Sequence, residues 1–164
     1  MKKNIYVCLL IVWMIVIFLF SSRNGFKSTN DSNSFINKTI IAVYKIFDHN
    51  PSDEKINQIV ETFSYPVRKV AHFTEYFILG ILMFLVFKEF NNKDIYLIIL
   101  LCIIYAMSDE FHQLFVLGRD GSIKDVFIDS MGSCSSILLM EKIILKKDNK
   151  WYYISIESRI KYEM

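Results

Sequence analysis

Apolar residues fall into four long blocks, and polar residues collect between them. Ile5 to Phe20 is an unbroken run, IYVCLLIVWMIVIFLF, preceded by Lys2 and Lys3. At about 1.5 Å per residue such a helix reaches roughly 24 Å, a little short of a bilayer core, and the flanking lysines extend it by snorkelling. Phe20-Ser21-Ser22 puts a bulky ring where a cleavage site wants a small residue, so the run is expected to stay as an uncleaved helix. Val70 to Phe87 is a second block despite His72 and Glu75. The third, Ile95 to Phe115, opens on IYLIILLCIIYAM before SDEFHQ interrupts it. The fourth, Ile123 to Leu145, carries Asp125 and Asp129 near its start and Glu141-Lys142 near its end. The expected fold is all-α: a polytopic membrane protein with four transmembrane helices in a small bundle, spans about 5–20, 70–87, 95–115 and 123–145. These make one transmembrane domain, 1–145, with a cytoplasmic tail at 146–164 whose Trp151, Tyr152 and Tyr153 suit an inner-leaflet anchor.

One connection is long. Residues 21–69 form an external loop in which Phe35, Ile36, Ile40, Val43 and Phe47 recur at steps of three and four, as in an interfacial amphipathic helix. Asn50-Pro51 breaks that segment, and Ser52-Asp53-Glu54 reads as the start of another helix.

Composition narrows the class. The 164 residues are 53% hydrophobic and 22% charged, which excludes disorder, and 5 Gly with 2 Pro exclude a linker-dominated chain. A scattered net charge of +2 gives no footprint for nucleic acid. Cys8, Cys102 and Cys134 all sit in apolar stretches with no C-x-x-C, so neither a disulfide framework nor a zinc site is expected.

Orientation follows from Lys and Arg near the span ends. With both termini cytoplasmic, ten of the 19 basic residues lie on the short inner segments and nine on the much longer outer ones. This topology places His72, Glu75 and Tyr76 in the outer third of the second span and Asp109, Glu110, His112 and Gln113 at the outer end of the third. Arg119, Lys124, Asp125 and Asp129 start the fourth at the same level. Helical spacing puts His72, Glu75 and Tyr76 on one face, and Tyr105, Asp109, His112 and Gln113 on another, with Glu110 a quarter-turn away. Asp125, Asp129, Gly132 and Ser136 share a third face, and Gly132-x-x-x-Ser136 is a small-xxx-small packing pattern. Each ionisable side chain turned toward acyl chains costs about 2.5–3.5 kcal/mol, so the set is expected to face a shared polar layer, with Arg119 and Lys124 as its nearest cations and His72, Lys69 and Arg68 as further ones.

These same residues carry a resemblance. His72-Phe73-Thr74-Glu75-Tyr76, Ser108-Asp109-Glu110-Phe111-His112-Gln113, Gly118-Arg119-x-Gly121-Ser122-x-x-Asp125 and Val126-Phe127-x-Asp129-x-x-Gly132 resemble the VanZ-like family over about residues 5 to 145. The resemblance implies a small integral protein of the bacterial cytoplasmic membrane, in a family whose founding member is associated with resistance to teicoplanin, a lipoglycopeptide. It implies a phenotype and no reaction.

Two functions follow as expectations. The first is a non-enzymatic envelope protein whose outer-leaflet cluster (His72, Glu75, Tyr76, Asp109, Glu110, Gln113, Arg119, Asp125 and Asp129) binds a lipid-linked cell-wall precursor, a lipoglycopeptide or another amphiphile among the membrane lipids. The acidic excess in that layer suits a cationic group or a metal-bridged phosphate. The second is an intramembrane enzyme on a lipid-linked substrate, with His72, Glu75 and Asp109 as candidates for acid–base work or metal ligation. No H-E-x-x-H, G-x-S-x-G or phosphate-cradling glycine loop is present to fix a reaction, a cofactor or a metal. The bland counterpart of both is a polar layer that only glues four helices together.

Overall fold

The computed structural model describes residues 2–46, 52–91 and 94–163. These residues form five helices: α1 (Lys2–Ser21), α2 (Gly25–Ile46), α3 (Asp53–Glu89), α4 (Ile95–Gln113) and α5 (Ile123–Glu163). Among the described residues there is no strand. Three helices, α1, α3 and α4, are long and apolar enough to cross a membrane. The fourth expected span, at the start of α5, is not among them. Asp125, Asp129, Glu141, Lys142 and a run of serines dilute its hydropathy.

The apolar run of α1 buries only the stripe Leu10, Ile17 and Ser21, and most of the remaining girth is exposed. A helix that is hydrophobic all round yet packed on one side belongs in an apolar solvent. Helix α4 repeats the arrangement with Ile98, Cys102, Ala106, Asp109 and Gln113 buried, and Asp94 caps its start by accepting from the Leu97 amide at 3.1 Å. Helix α3 packs against every other helix and forms the centre of the bundle. Tyr76, Leu79 and Met83 of α3 meet Ile17, Ile98, Cys102 and Ile137 in the core. All three cysteines are free, Cys102 fully buried and Cys8 exposed.

The connection 21–69, expected to hold an amphipathic helix and a second helix start, is almost wholly helical among its described residues, and α3 runs through its last third without a break. Ser52 starts α3 as expected, accepting from the Lys55 amide at 3.4 Å, and Pro66 is accommodated inside the helix. A proline removes one backbone donor, a loss that 37 residues of packed helix can absorb. Helix α2 buries only Ile36 and Ile40 of the expected stripe, leaving Phe35 63% exposed and Val43 outside, because it packs on α3 alone. Phe47, Asn50 and Pro51 lie outside the described residues. At the other end, α5 continues as helix through the segment read from sequence as a tail.

Helices α3 and α5 approach most closely. A Cβ on Gly80 would lie 2.2 Å from Ser136 Oγ and 2.7 Å from the Ser133 carbonyl oxygen, and one on Gly132 would lie 2.4 Å from the Phe73 carbonyl oxygen. The expected small-xxx-small face is the contact face. The chain between α4 and α5 turns at Gly118, whose φ of 74° needs a residue without a Cβ penalty, and hooks onto α2 through a 3.1 Å bond from the Gly25 amide to the Leu117 carbonyl.

Candidate functional site

The end of α1, the middle of α3, the end of α4 and the start of α5 meet in one polar layer. Its floor is a hydrogen-bonded knot. Ser21 Oγ donates to Asp109 Oδ2 at 2.8 Å, and Gln113 Nε2 donates to Asp109 Oδ2 at 3.2 Å and to Glu110 Oε1 at 3.0 Å. Glu110 Oε2 accepts from the Ser122 amide at 2.9 Å, tying α4 to the start of α5. Asp109, Glu110 and Gln113 are all buried. Glu110 thus joins the layer, although its angle on an ideal helix points aside, because the returning chain at Ser122 comes round to meet it.

Arg119 closes this knot. Its Nη1 donates to Gln113 Oε1 at 3.1 Å, its Nη2 to the Phe20 carbonyl at 2.9 Å and its Nε to the Arg23 carbonyl at 3.0 Å. A guanidinium fork is suited to three divergent acceptors at once. Burial, and then the field of Arg68, push Arg119 below the ordinary arginine value.

The remaining residues stand above that floor. Lys69 forms an ion pair with Asp125, and both side chains are largely buried. The partner of Asp125 is therefore neither Arg119 nor Lys124, the two cations that chain proximity favoured; Lys124 is exposed. His72 lies between two carboxylates, its Nδ1 4.0 Å from Glu75 Oε2 and 3.9 Å from Asp129 Oδ1. Neither separation is a hydrogen bond. Asp129 is fully buried, and both of its oxygens, together with His72 Nδ1, make no hydrogen bond. His112 turns away toward α1, where its Nε2 lies 3.1 Å from Ser22 Oγ and its ring stacks on Phe18.

Two clefts open from this layer, of about 230 and 250 Å³, and both are lined by Arg68, His72 and Arg119. The first reaches Glu75 and Asp31, and the second Lys69 and Asp125. Among the described residues no group of three His, Cys, Asp or Glu side chains is placed to hold a metal ion. Most of the acidic side chains that suggested a cationic ligand have internal partners instead.

Ser21, Arg23, Asp31 and Trp13 were not among the expected site residues. Arg23 pairs with Asp31 at 2.7 Å, and Trp13 Nε1 donates to the Glu75 carbonyl at 2.9 Å. The available signal was the abrupt change from apolar run to Ser21-Ser22-Arg23 at the level of the layer.

A model of the VanZ/LLP1 family matches residues 6–145. The chain belongs to this family. No curated protein and no solved structure matches it. In this VanZ/LLP1 chain the motif residues scattered over three segments are neighbours in space. His72 and Glu75 face Asp129, Lys69 holds Asp125, and Arg119 locks the Asp109-Glu110-x-x-Gln113 turn.

Proposed function

We propose that this VanZ/LLP1 chain is a four-span protein of the bacterial cytoplasmic membrane, both termini cytoplasmic, that binds a lipid-linked or amphiphilic ligand at the outer-leaflet level of its polar layer. The observation that carries this is the group of buried, unpartnered atoms at Asp129, His72 and Arg68 beside two clefts that His72 and Arg68 line. Each unsatisfied buried polar group costs about 1–3 kcal/mol. A layer that served only as glue would satisfy its members, as the Asp109–Glu110–Gln113 knot does. Binding of a lipoglycopeptide or a lipid-linked cell-wall precursor would link the site to antibiotic susceptibility.

The geometry around His72 favours a second reading, an intramembrane enzyme on a lipid-linked substrate. An imidazole flanked by two carboxylates is an arrangement suited to moving protons.

Glu75→Gln tests the binding function. It is nearly isosteric, and Glu75 lines the polar cleft while its backbone carbonyl takes the Trp13 bond. In a deletion strain, wild-type protein should shift susceptibility to a lipidated glycopeptide more than to an unlipidated one. Glu75→Gln should reach normal membrane levels and lose that difference. An equal shift for both antibiotics, or disappearance of the variant protein from the membrane, overturns the proposal.

A further inference from the structure

The proposed ligand class can be narrowed by asking which charges in the clefts are already neutralised. Asp31 is paired with Arg23 at 2.7 Å and Asp125 with Lys69, whereas Glu75 meets only the His72 imidazole, at 4.0 Å and without a hydrogen bond. Asp120, at the rim, is exposed. On the cationic side, among the described residues, neither Arg68 nor Arg119 has a carboxylate within 4 Å. Arg119 spends three of its donors on two carbonyls and an amide, and Asp109, Glu110 and Glu75 act on its charge only from beyond 4 Å. Arg68 makes one long bond, from Nη2 to Thr29 Oγ1 at 3.4 Å, and its Nε is buried with no partner. The two guanidiniums line both clefts and repel one another, the second cause of the lowered Arg119 pKa. An anion placed between them would remove that repulsion.

The first cleft also continues into an apolar groove of about 490 Å³ between α1, α2 and α3, walled by Trp13, Phe35, Val67, Val70, Thr74 and Ile78. Asp31, Ser32, Ala71 and Glu75 line both, so the two spaces meet. The cleft itself, at about 230 Å³, far exceeds the roughly 10–15 Å³ that one water needs. Ser28 adds a hydroxyl to its wall, and Ser32 Oγ, which donates to the Ser28 carbonyl at 3.1 Å, lines it as well. Paired guanidinium forks with hydroxyls recognise tetrahedral oxyanions.

We infer that the ligand is a phosphate-headed lipid, its head group held by Arg68 and Arg119 beside His72 and its hydrocarbon chain lying in the groove between α1, α2 and α3. This rests on the amphiphile-binding function proposed above and supplies the head-group charge: of the two ligands that the acidic composition suited, a cationic group or a metal-bridged phosphate, it keeps the phosphate, held by two guanidiniums.

The test uses the purified full-length protein in a neutral detergent with two probes of identical chains, dioleoyl phosphatidic acid and dioleoylglycerol, retention being read by native mass spectrometry. Wild type should retain the phosphatidic acid at least tenfold better. Arg68→Gln should lose about tenfold of that retention, Arg68→Lys should lose less, and Ala71→Phe, which fills the junction of cleft and groove, should lose retention with no change of charge. Equal retention of both lipids by wild type overturns the phosphate assignment and leaves amphiphile binding standing. Retention of neither overturns both. Complete displacement of phosphatidic acid by millimolar inorganic phosphate overturns the lipid part, since a free phosphate would then suffice. An Arg68→Gln protein with the wild-type thermal transition and undiminished retention removes Arg68 from the site.

Discussion

Gly80→Val and Gly132→Val are expected to leave almost no folded protein. A Cβ at either position enters the space of the opposite helix: at Gly80 it meets Ser136 Oγ at 2.2 Å and the Ser133 carbonyl at 2.7 Å, and at Gly132 it meets the Phe73 carbonyl at 2.4 Å. A side chain could rotate aside, but a backbone carbonyl can yield only if the whole helix moves. Overpacking a core costs about 1–3 kcal/mol where side chains can adjust, and a rigid backbone contact belongs at the top of that range or above it. In a bilayer no hydrophobic drive pulls helices together, so close packing is itself the association energy. Separating α3 from α5 would also draw His72 away from Asp129, so stability and site should fail together. Membrane level and thermal unfolding in detergent are the measurements. Met131→Leu, next to Gly132 but half exposed, should match wild type. A Gly132→Val protein that melts with wild type would mean that the two helices are not held at this distance.

How much of this was legible in the sequence depends on which force sets each feature. Three membrane-length helices follow from composition alone, since length and apolarity are local properties. The close face of α5 was legible because Gly132 and Ser136 are spaced to lie together. The fourth block was harder: Asp129 and the serines that let α5 pack inside the bundle also lower its hydropathy, so the packing and the apolar signal work against each other. In residues 21–69 the amphipathic stripe and the helix start at Ser52 were legible, but their charged positions and Pro66 hid that the second helix runs unbroken into the second apolar block, where contact with α2 and the core keeps α3 helical. The gathering of His72, Glu75, Asp109, Gln113 and Asp129 could be anticipated from helix phase and topology. Their pairing could not. Proximity in the chain put Arg119 and Lys124 ahead of His72, Lys69 and Arg68 as cations for the layer, but the partner of Asp125 is Lys69, 56 residues away. Glu110 left its expected angle because the Ser122 amide supplied a better partner than water. Charge counting suited a cationic group or a metal-bridged phosphate because it cannot tell a carboxylate with an internal partner from one without.

Asp129→Asn should separate stability from function. The carboxylate is fully buried and neither oxygen has a hydrogen bond, so the wild-type residue is a liability to the folded state. The amide has the same shape, carries no charge and can donate toward His72 Nδ1, now 3.9 Å from Oδ1. A gain of about 1 kcal/mol is the expected scale, seen as an unfolding temperature at or above that of wild type. Ligand retention should fall at least tenfold, because the Asp129 carboxyl stands behind His72, its Oδ1 3.9 Å from Nδ1, and an imidazole without it is free to turn from the cleft. The opposing sign of the two changes is what matters. Residues that only cement helices lose stability and function in step, as the Gly80 and Gly132 variants should. A residue kept at a cost to the fold is kept for what it does to a ligand. If Asp129→Asn melts well below wild type, Asp129 is cement after all. If it is stable and binds as before, the unpartnered carboxylate has no part in the site.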